Sequence, residues 1–213
     1  MQAHEVDVVG ASLVSFIPGV SLRQRNAIKL AALWAETVTL TDMKEEAAKD
    51  QYHYYRKKLM FLGWDAKTAE EVHWPDPQRV VVVDQVLSAI DAVAGDSHST
   101  YMALALEKLK NNDIPLLHFE KRSSEQGKFQ LMSCAPVSAN YVDIVLYHEA
   151  GGRAAFTAGF LFRERRNMRV MAELVRFNTR LFDQERRSGV ERALVKIALE
   201  EIKKADFRAP GSP

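Results

Sequence analysis

The sequence predicts an α+β fold, with a helical N-terminal half packed on an antiparallel β-sheet of about five strands and a long C-terminal helix. Apolar residues recur at helical spacing through the first half of the chain. Residues 114–177 instead contain runs of β-forming residues separated by turn-forming residues. A content of 47% hydrophobic residues supplies enough apolar side chains for a core.

The N-terminal half is expected to begin with an extended segment and to continue as four helices. Residues 4–17 are rich in β-branched residues and end at a Pro-Gly pair. Ser21 is a suitable N-cap for the first helix, and Gly63 and Gly95 suit the ends of the second and third. The predicted helices cover about 22–38, 41–62, 79–94 and 99–110.

Five later runs are interpreted as strands, and a final helix follows Asn178, which is a suitable N-cap. The runs are 114–121, 128–135, 141–150, 153–163 and 168–177, and the helix covers about 179–204. Gly151-Gly152 predicts a hairpin between the third run and the fourth. In that register both faces of the hairpin are apolar, so helices or another subunit should cover both faces. We expect one domain over 1–208 and a loose tail over 209–213.

Composition and charge exclude several classes of protein. A formal net charge of +1 gives no general attraction to nucleic acid, which is therefore not expected as the main partner. A single cysteine excludes an internal disulfide and a cysteine-rich zinc site, and we expect no metal and no cofactor. No signal peptide is apparent, so the chain should be cytoplasmic at synthesis, with signal-less secretion left open.

Cys134 is the one candidate nucleophile of the thiol class, and His118 or His148 would have to act as its base. No acidic residue that could orient such a histidine follows from the predicted register. The alternative is that Cys134 is a small buried apolar side chain. The pair His148-Glu149 begins like a zinc-protease motif, but glycine occupies the position of the second histidine.

Two clusters of basic residues are candidate binding surfaces. The first is an aromatic-basic helix with Tyr52, His53, Arg56 and Lys57. The second is a basic surface patch with Arg163, Arg165, Arg166 and Arg169. The structural alternatives are an amphipathic helix whose cations reach the solvent, and a charged turn that keeps a sheet edge soluble.

Short motifs spread over residues 20–200 resemble those of a group of uncharacterised bacterial and fungal proteins. The motifs are Tyr55, Leu59, Gly63 and Trp64; Gly127, Phe129 and Gln130; Phe160, Leu161 and Phe162; and Asn178. The resemblance implies a helical N-terminal half followed by a β-meander and a long helix. It implies no established activity.

Three functional hypotheses follow from these observations. The first is a non-enzymatic protein that acts through its surfaces, self-associating or membrane-active and similar to a bacterial toxin or effector. Its partners would be copies of itself, another protein or a membrane surface. The second is an enzyme whose dispersed site contains Cys134 and a histidine. The third is a protein that binds nucleic acid or an acidic partner through the two basic clusters.

Overall fold

A mixed β-sheet of seven strands lies between two layers of helices in the computed structural model, which describes residues 3–44, 51–66, 80–151, 153–165 and 169–205. Its strands are β1 (Glu5–Val9), β2 (Ser12–Phe16), β3 (Trp64–Ala66), β5 (Lys128–Pro136), β6 (Tyr141–Ala150), β8 (Arg169–Asn178) and β9 (Ile202–Lys204). Their order across the sheet is β3-β8-β6-β5-β2-β1-β9. Neighbours are antiparallel except β2 and β5, which are parallel. Two short strands, β4 (Val80–Val81) and β7 (Glu164–Arg165), pair separately.

The helices form one layer on each face of the sheet. The first layer contains α1 (Leu22–Lys44), α2 (Gln51–Phe61), α6 (Thr179–Leu181), a π-helical turn (Phe182–Arg186), α7 (Arg187–Leu194) and α8 (Ala198–Glu201). The second layer contains α3 (Val82–Ala94), α4 (Asp96–Lys110), α5 (Asp113–Gln126) and 3-10 turns at Arg153–Ala155 and Phe160–Phe162. Every helix in the described part of the chain is too short or too polar to cross a lipid bilayer.

The strands β5, β6 and β8 confirm three of the predicted runs, and β6 shows why both of its faces are apolar. Ile144 and Leu146 pack into the core under the first helical layer. Val145 and Tyr147 pack into the core under the second layer. Helices of this chain therefore cover both faces of β6, and this strand needs no second subunit to exclude water from it.

The predicted α+β class is confirmed, but the sheet has seven strands and is mixed, where an antiparallel sheet of about five strands was expected beside a helical N-terminal half. The extended segment 4–17 is a hairpin, β1–β2, that joins the same sheet as β5. Gly10 forms its turn with φ +56°, a left-handed conformation that glycine adopts readily. The first helix does not end near residue 38 but continues to Lys44.

Two predicted strands are wrong. Residues 114–121 lie in α5, because Asp113 and Pro115 suit a first helical turn and Gly127 ends the helix in the left-handed conformation. The hairpin predicted at Gly151-Gly152 does not form, because β5 and β8 already pair with both edges of β6. Residues 153–163 contain 3-10 turns instead, and Phe156 and Phe160 enter the second core.

The final helix is shorter than predicted and is interrupted. The Asn178 side chain accepts a hydrogen bond from the Leu181 amide at 3.0 Å, which confirms the predicted N-cap. The helical path then includes the π-helical turn and ends at Glu201, after which β9 pairs with β1 at the edge of the sheet. The predicted loose tail over 209–213 lies outside the described residues.

Candidate functional site

The structure does not assemble a thiol site around Cys134. The Cys134 side chain is fully buried in the first core, and burial raises the pKa of its thiol. Its partner on β6 is Ile144, whereas His148 lies opposite Gln130, four residues along, or about 13 Å at strand spacing. His118 lies on α5 in the second layer, 3.4 Å from Glu201. Neither histidine is placed to take a proton from the thiol.

We therefore expect Cys134 to be inert in the native protein. A thiol reagent at neutral pH should label it only at the rate at which the chain unfolds, because the thiol is both buried and protonated. The check is the labelling rate in native buffer relative to the rate in denaturant. Rapid stoichiometric labelling of the native protein would contradict the assigned burial and reopen the enzyme hypothesis.

Two serine–histidine pairs lie on the second face, and neither is predictable from spacing in the sequence. His98 Nδ1 lies 3.1 Å from Ser133 Oγ, and His4 Nε2 lies 2.9 Å from Ser15 Oγ. Both hydroxyls donate to backbone carbonyls, Ser133 to His98 O and Ser15 to Tyr101 O. The histidines therefore do not activate these buried hydroxyls, and the pairs bind helix α4 to the sheet.

A buried polar cluster joins α1, the β1–β2 turn and the start of β5. Glu36 accepts hydrogen bonds from the Ala11 amide at 3.3 Å and from Gln126 Nε2 at 2.8 Å. Lys128 Nζ lies 3.5 Å from Glu36 Oε2, and burial lowers the pKa of Lys128. Burial and the Glu36 carboxylate raise the pKa of the neighbouring Tyr55. Lys128 is 1% exposed, so this cluster stabilises the fold instead of presenting a nucleophile.

Metal binding has no support in the geometry. Within the described ranges, no three side chains of His, Cys, Asp or Glu are grouped so that they could hold a metal ion.

The predicted aromatic-basic helix is α2, and its residues point in different directions. Tyr52 packs its ring on His148 with centroids 4.8 Å apart, and Arg56 binds Glu173 on β8 at 2.9 Å. Both side chains therefore face the sheet. His53 and Lys57 are exposed on the opposite side of the helix.

An exposed aromatic cluster lies where α2 ends, and we call it the Phe61 surface. It consists of the exposed ring of Phe61, the partly buried ring of Trp34 and the guanidinium of Arg186. Phe61 is 54% exposed and Met60 47% exposed. The rings of Trp34 and Phe61 stack with centroids 6.2 Å apart, and the Arg186 guanidinium carbon lies 4.1 Å from the centre of the Phe61 ring.

The π-helical turn accounts for the position of Arg186. Phe182 at its start is buried against Phe177, with ring centroids 5.6 Å apart. Arg187 follows the turn and binds Asp183 and Glu191 in the first layer. One extra residue in the turn lets Phe182 face the core while Arg186 reaches Phe61, and such turns are frequent at functional sites.

Most of the predicted basic surface patch lies outside the described side chains, so the patch stays a prediction. Arg163 is exposed, Arg165 and Arg169 have only their backbones described in β7 and β8, and Arg166 lies outside the described residues. Farther along the chain, Arg176 binds Asp143 at 2.8 Å and is not available to extend the patch.

No protein-family model matches the chain, and no curated protein matches it. Among solved structures, the chain is similar to that of the Evf virulence factor, with 11% sequence identity and a TM-score of 0.33. The similarity covers 92% of this chain and 83% of the Evf chain. A similarity of this size establishes neither a shared family nor a shared activity.

Proposed function

We propose that this protein is non-enzymatic and acts as an effector-type protein by binding an anionic membrane surface through the Phe61 surface. The observation that carries the proposal is the half-exposed ring of Phe61, stacked on the partly buried Trp34 with Arg186 against it. Aromatic rings and long cationic side chains are the groups that anchor proteins at the boundary between lipid headgroups and acyl chains.

The apolar part of this surface is large enough to bind weakly. Phe61 and Met60 are both about half exposed, and Leu181 lies beside Gly63 at the same end of α2. Transfer of a phenylalanine side chain out of water is worth about 1.5–3 kcal/mol. Because Phe61 is already about half buried, about half of this gain remains, which corresponds to an increase in partition into an interface of about fourfold to tenfold.

The cations around the ring favour an anionic surface over a neutral one. Lys57 lies one helical turn before Phe61 and is exposed on the same side of α2. Arg180 is exposed in α6, close to Leu181 in the chain. Each lysine or arginine near an anionic leaflet contributes about 1 kcal/mol, and the contribution falls with added salt.

The nearby acids do not cancel this attraction. Asp183 is already bound by Arg23 and Arg187, and it is mostly buried. Glu185 is exposed and lies 4.0 Å from Arg186, so it reduces the local charge by one. Lys57 and Arg180 still give the region an excess of positive charge.

The substitution Phe61→Asp should reduce binding to mixed phosphatidylcholine–phosphatidylserine vesicles by about tenfold or more. It removes the ring that Arg186 and Trp34 contact and adds a negative charge. Phe162→Asp is the matched control, because Phe162 is also a partly exposed ring with a cation, Lys110, 5.4 Å from its centre, but it lies in the second layer. Co-sedimentation with vesicles measures both variants.

The proposal predicts that Phe162→Asp binds like wild type and that binding weakens with salt and without phosphatidylserine. Equal binding by wild type and Phe61→Asp, or no binding by wild type, would overturn it. If Phe61→Asp instead converted an oligomer into a monomer in sedimentation velocity without a change in vesicle binding, the surface would serve self-association and the membrane proposal would fail.

A further inference from the structure

Two histidines from separate segments lie at the contact between helix α4 and adjacent strands of the sheet: His98 binds β5 from α4, and His4 binds Ser15, whose hydroxyl donates to Tyr101 O in α4. His98, in α4, lies 3.1 Å through Nδ1 from both the carbonyl oxygen and the hydroxyl of Ser133 on β5. His4, which precedes β1, lies 2.9 Å through Nε2 from the hydroxyl of Ser15 on β2. Ser15 and Ser133 are direct partners in the β2–β5 register. The two contacts are therefore side by side under α4.

The surroundings of His4 disfavour its protonated form. The Ser15 hydroxyl donates to Tyr101 O in α4, so it accepts from His4 Nε2, and Nδ1 is the nitrogen left unprotonated. Lys108 in α4 donates to the His4 carbonyl at 2.8 Å, and Arg25 in α1 donates to the Ala3 carbonyl at 3.0 Å. Burial and these two cations lower the pKa of His4 from 6.5 to about 4. A proton on Nδ1 would add a third positive charge to the group.

Glu5 is the acid nearest to that group in the chain, and its carboxylate already binds Arg25. It therefore offsets the charge of Arg25 and is not available to His4.

His98 is disfavoured as a cation for a different reason. It is 7% exposed, and it lies in the first turn of α4, where the helix dipole is positive. The backbone acceptor at Ser133 fixes Nδ1 as the donor, so an added proton would have to occupy Nε2 of a side chain that is mostly buried. Burial lowers the pKa of His98. The hydrogen bond to the Ser133 carbonyl opposes this in part, as does Asp143 on β6, which is itself bound to Arg176 on β8.

We propose that acidification releases helix α4 from the sheet, with His4 and His98 as the groups whose protonation drives the release. In the closed form, α4 packs on the sheet and both histidine rings are buried; in the open form, α4 has left the sheet and both rings are hydrated. Each histidine binds a proton less readily in the closed form than in the open form. The closed form therefore loses stability relative to the open form as the pH falls below 6.5, the ordinary value for histidine. Release would expose the apolar underside of α4, formed by Met102, Ala105, Leu106 and Leu109. This device does not depend on the Phe61 surface.

A cysteine placed under α4 can report the release. Met102 is fully buried in α4, so Met102→Cys in a Cys134→Ala background puts one thiol there. Its labelling rate with a disulfide reagent that works in acid, divided by the rate in denaturant at the same pH, gives the open fraction. Between pH 7 and pH 5 this ratio should rise on the order of tenfold, the scale expected when a histidine pKa is lowered by about two.

Two comparisons separate local release from general acid unfolding. Ile28→Cys in the same background places the thiol in α1, buried on the other face of the sheet, and its ratio should not rise over this range. Adding His4→Gln and His98→Gln to the Met102→Cys protein should remove most of the rise, because glutamine keeps a donor but does not titrate. Equal rises at positions 28 and 102, no rise at 102, or a rise that survives both glutamine substitutions would each overturn the proposal.

Discussion

Replacing Gly10 with alanine should lower the free energy of unfolding by about 3 kcal/mol. The backbone of Gly10 has φ +56°, and an L-residue in that conformation costs about 1–2 kcal/mol. An added Cβ would also lie 2.0 Å from Glu36 Oε1, so the buried carboxylate would have to move. That movement would lengthen the hydrogen bonds from the Ala11 amide to Glu36, a loss of about 1–3 kcal/mol.

Two other glycines separate the causes of this loss in equilibrium denaturation. Gly159 also has a left-handed backbone, φ +73°, but an added Cβ would meet only the Arg163 side chain at 3.8 Å, so Gly159→Ala should show the backbone cost alone. Gly189 lies in α7 with open space around it, and Gly189→Ala should stabilise the protein by about 0.5–1 kcal/mol. If Gly10→Ala cost no more than Gly159→Ala, the Glu36 carboxylate would not lie against this turn.

The elements that the sequence predicts correctly are those whose signals are local. Strand β6 matches its predicted bounds because Tyr141–Ala150 is a continuous run of β-formers between turn residues. Asn178 caps its helix as predicted because capping depends on four successive residues, 178–181. The hairpin predicted at Gly151-Gly152 does not form although its turn signal is strong. Both edges of β6 pair instead with β5 and β8. The residues near the turn do not determine which strands pair with β6.

The Phe61 surface could not be predicted from the sequence, because it also depends on contacts between distant segments. Trp34, Phe61 and Arg186 come from three separate helical segments, and only the folded chain brings their side chains together. A π-helical turn also breaks the 3.6-residue period, so helical spacing does not indicate that Arg186 would face Phe61. The sequence predicts a binding face on α2 from Tyr52, His53, Arg56 and Lys57, yet Tyr52 and Arg56 face the sheet. Lys57 is exposed as predicted, one helical turn before Phe61, which the prediction did not include.

Removal of either charge of the buried pair Glu36 and Lys128 should destabilise the protein more than removal of both charges together. Lys128→Met alone should lower the free energy of unfolding by about 3–5 kcal/mol, because it leaves the Glu36 carboxylate buried with no cation. Adding Glu36→Gln should recover most of that loss, since the amide is neutral and can still accept from the Ala11 amide. Lys121→Met, at a largely exposed position, is the control and should be nearly neutral.

The dependence of the free energy of unfolding on pH in the alkaline range tests the same pair independently. Burial lowers the pKa of Lys128 below its ordinary value of 10.5, so in the range just below 10.5 the unfolded chain binds this proton more than the native chain does. Stability should therefore rise with pH in that range for wild type, and Lys128→Met should lack this contribution. If Lys128→Met were as stable as the double variant, the Glu36 carboxylate would not depend on Lys128. The β1–β2 turn would then be held by the backbone amide and Gln126 alone.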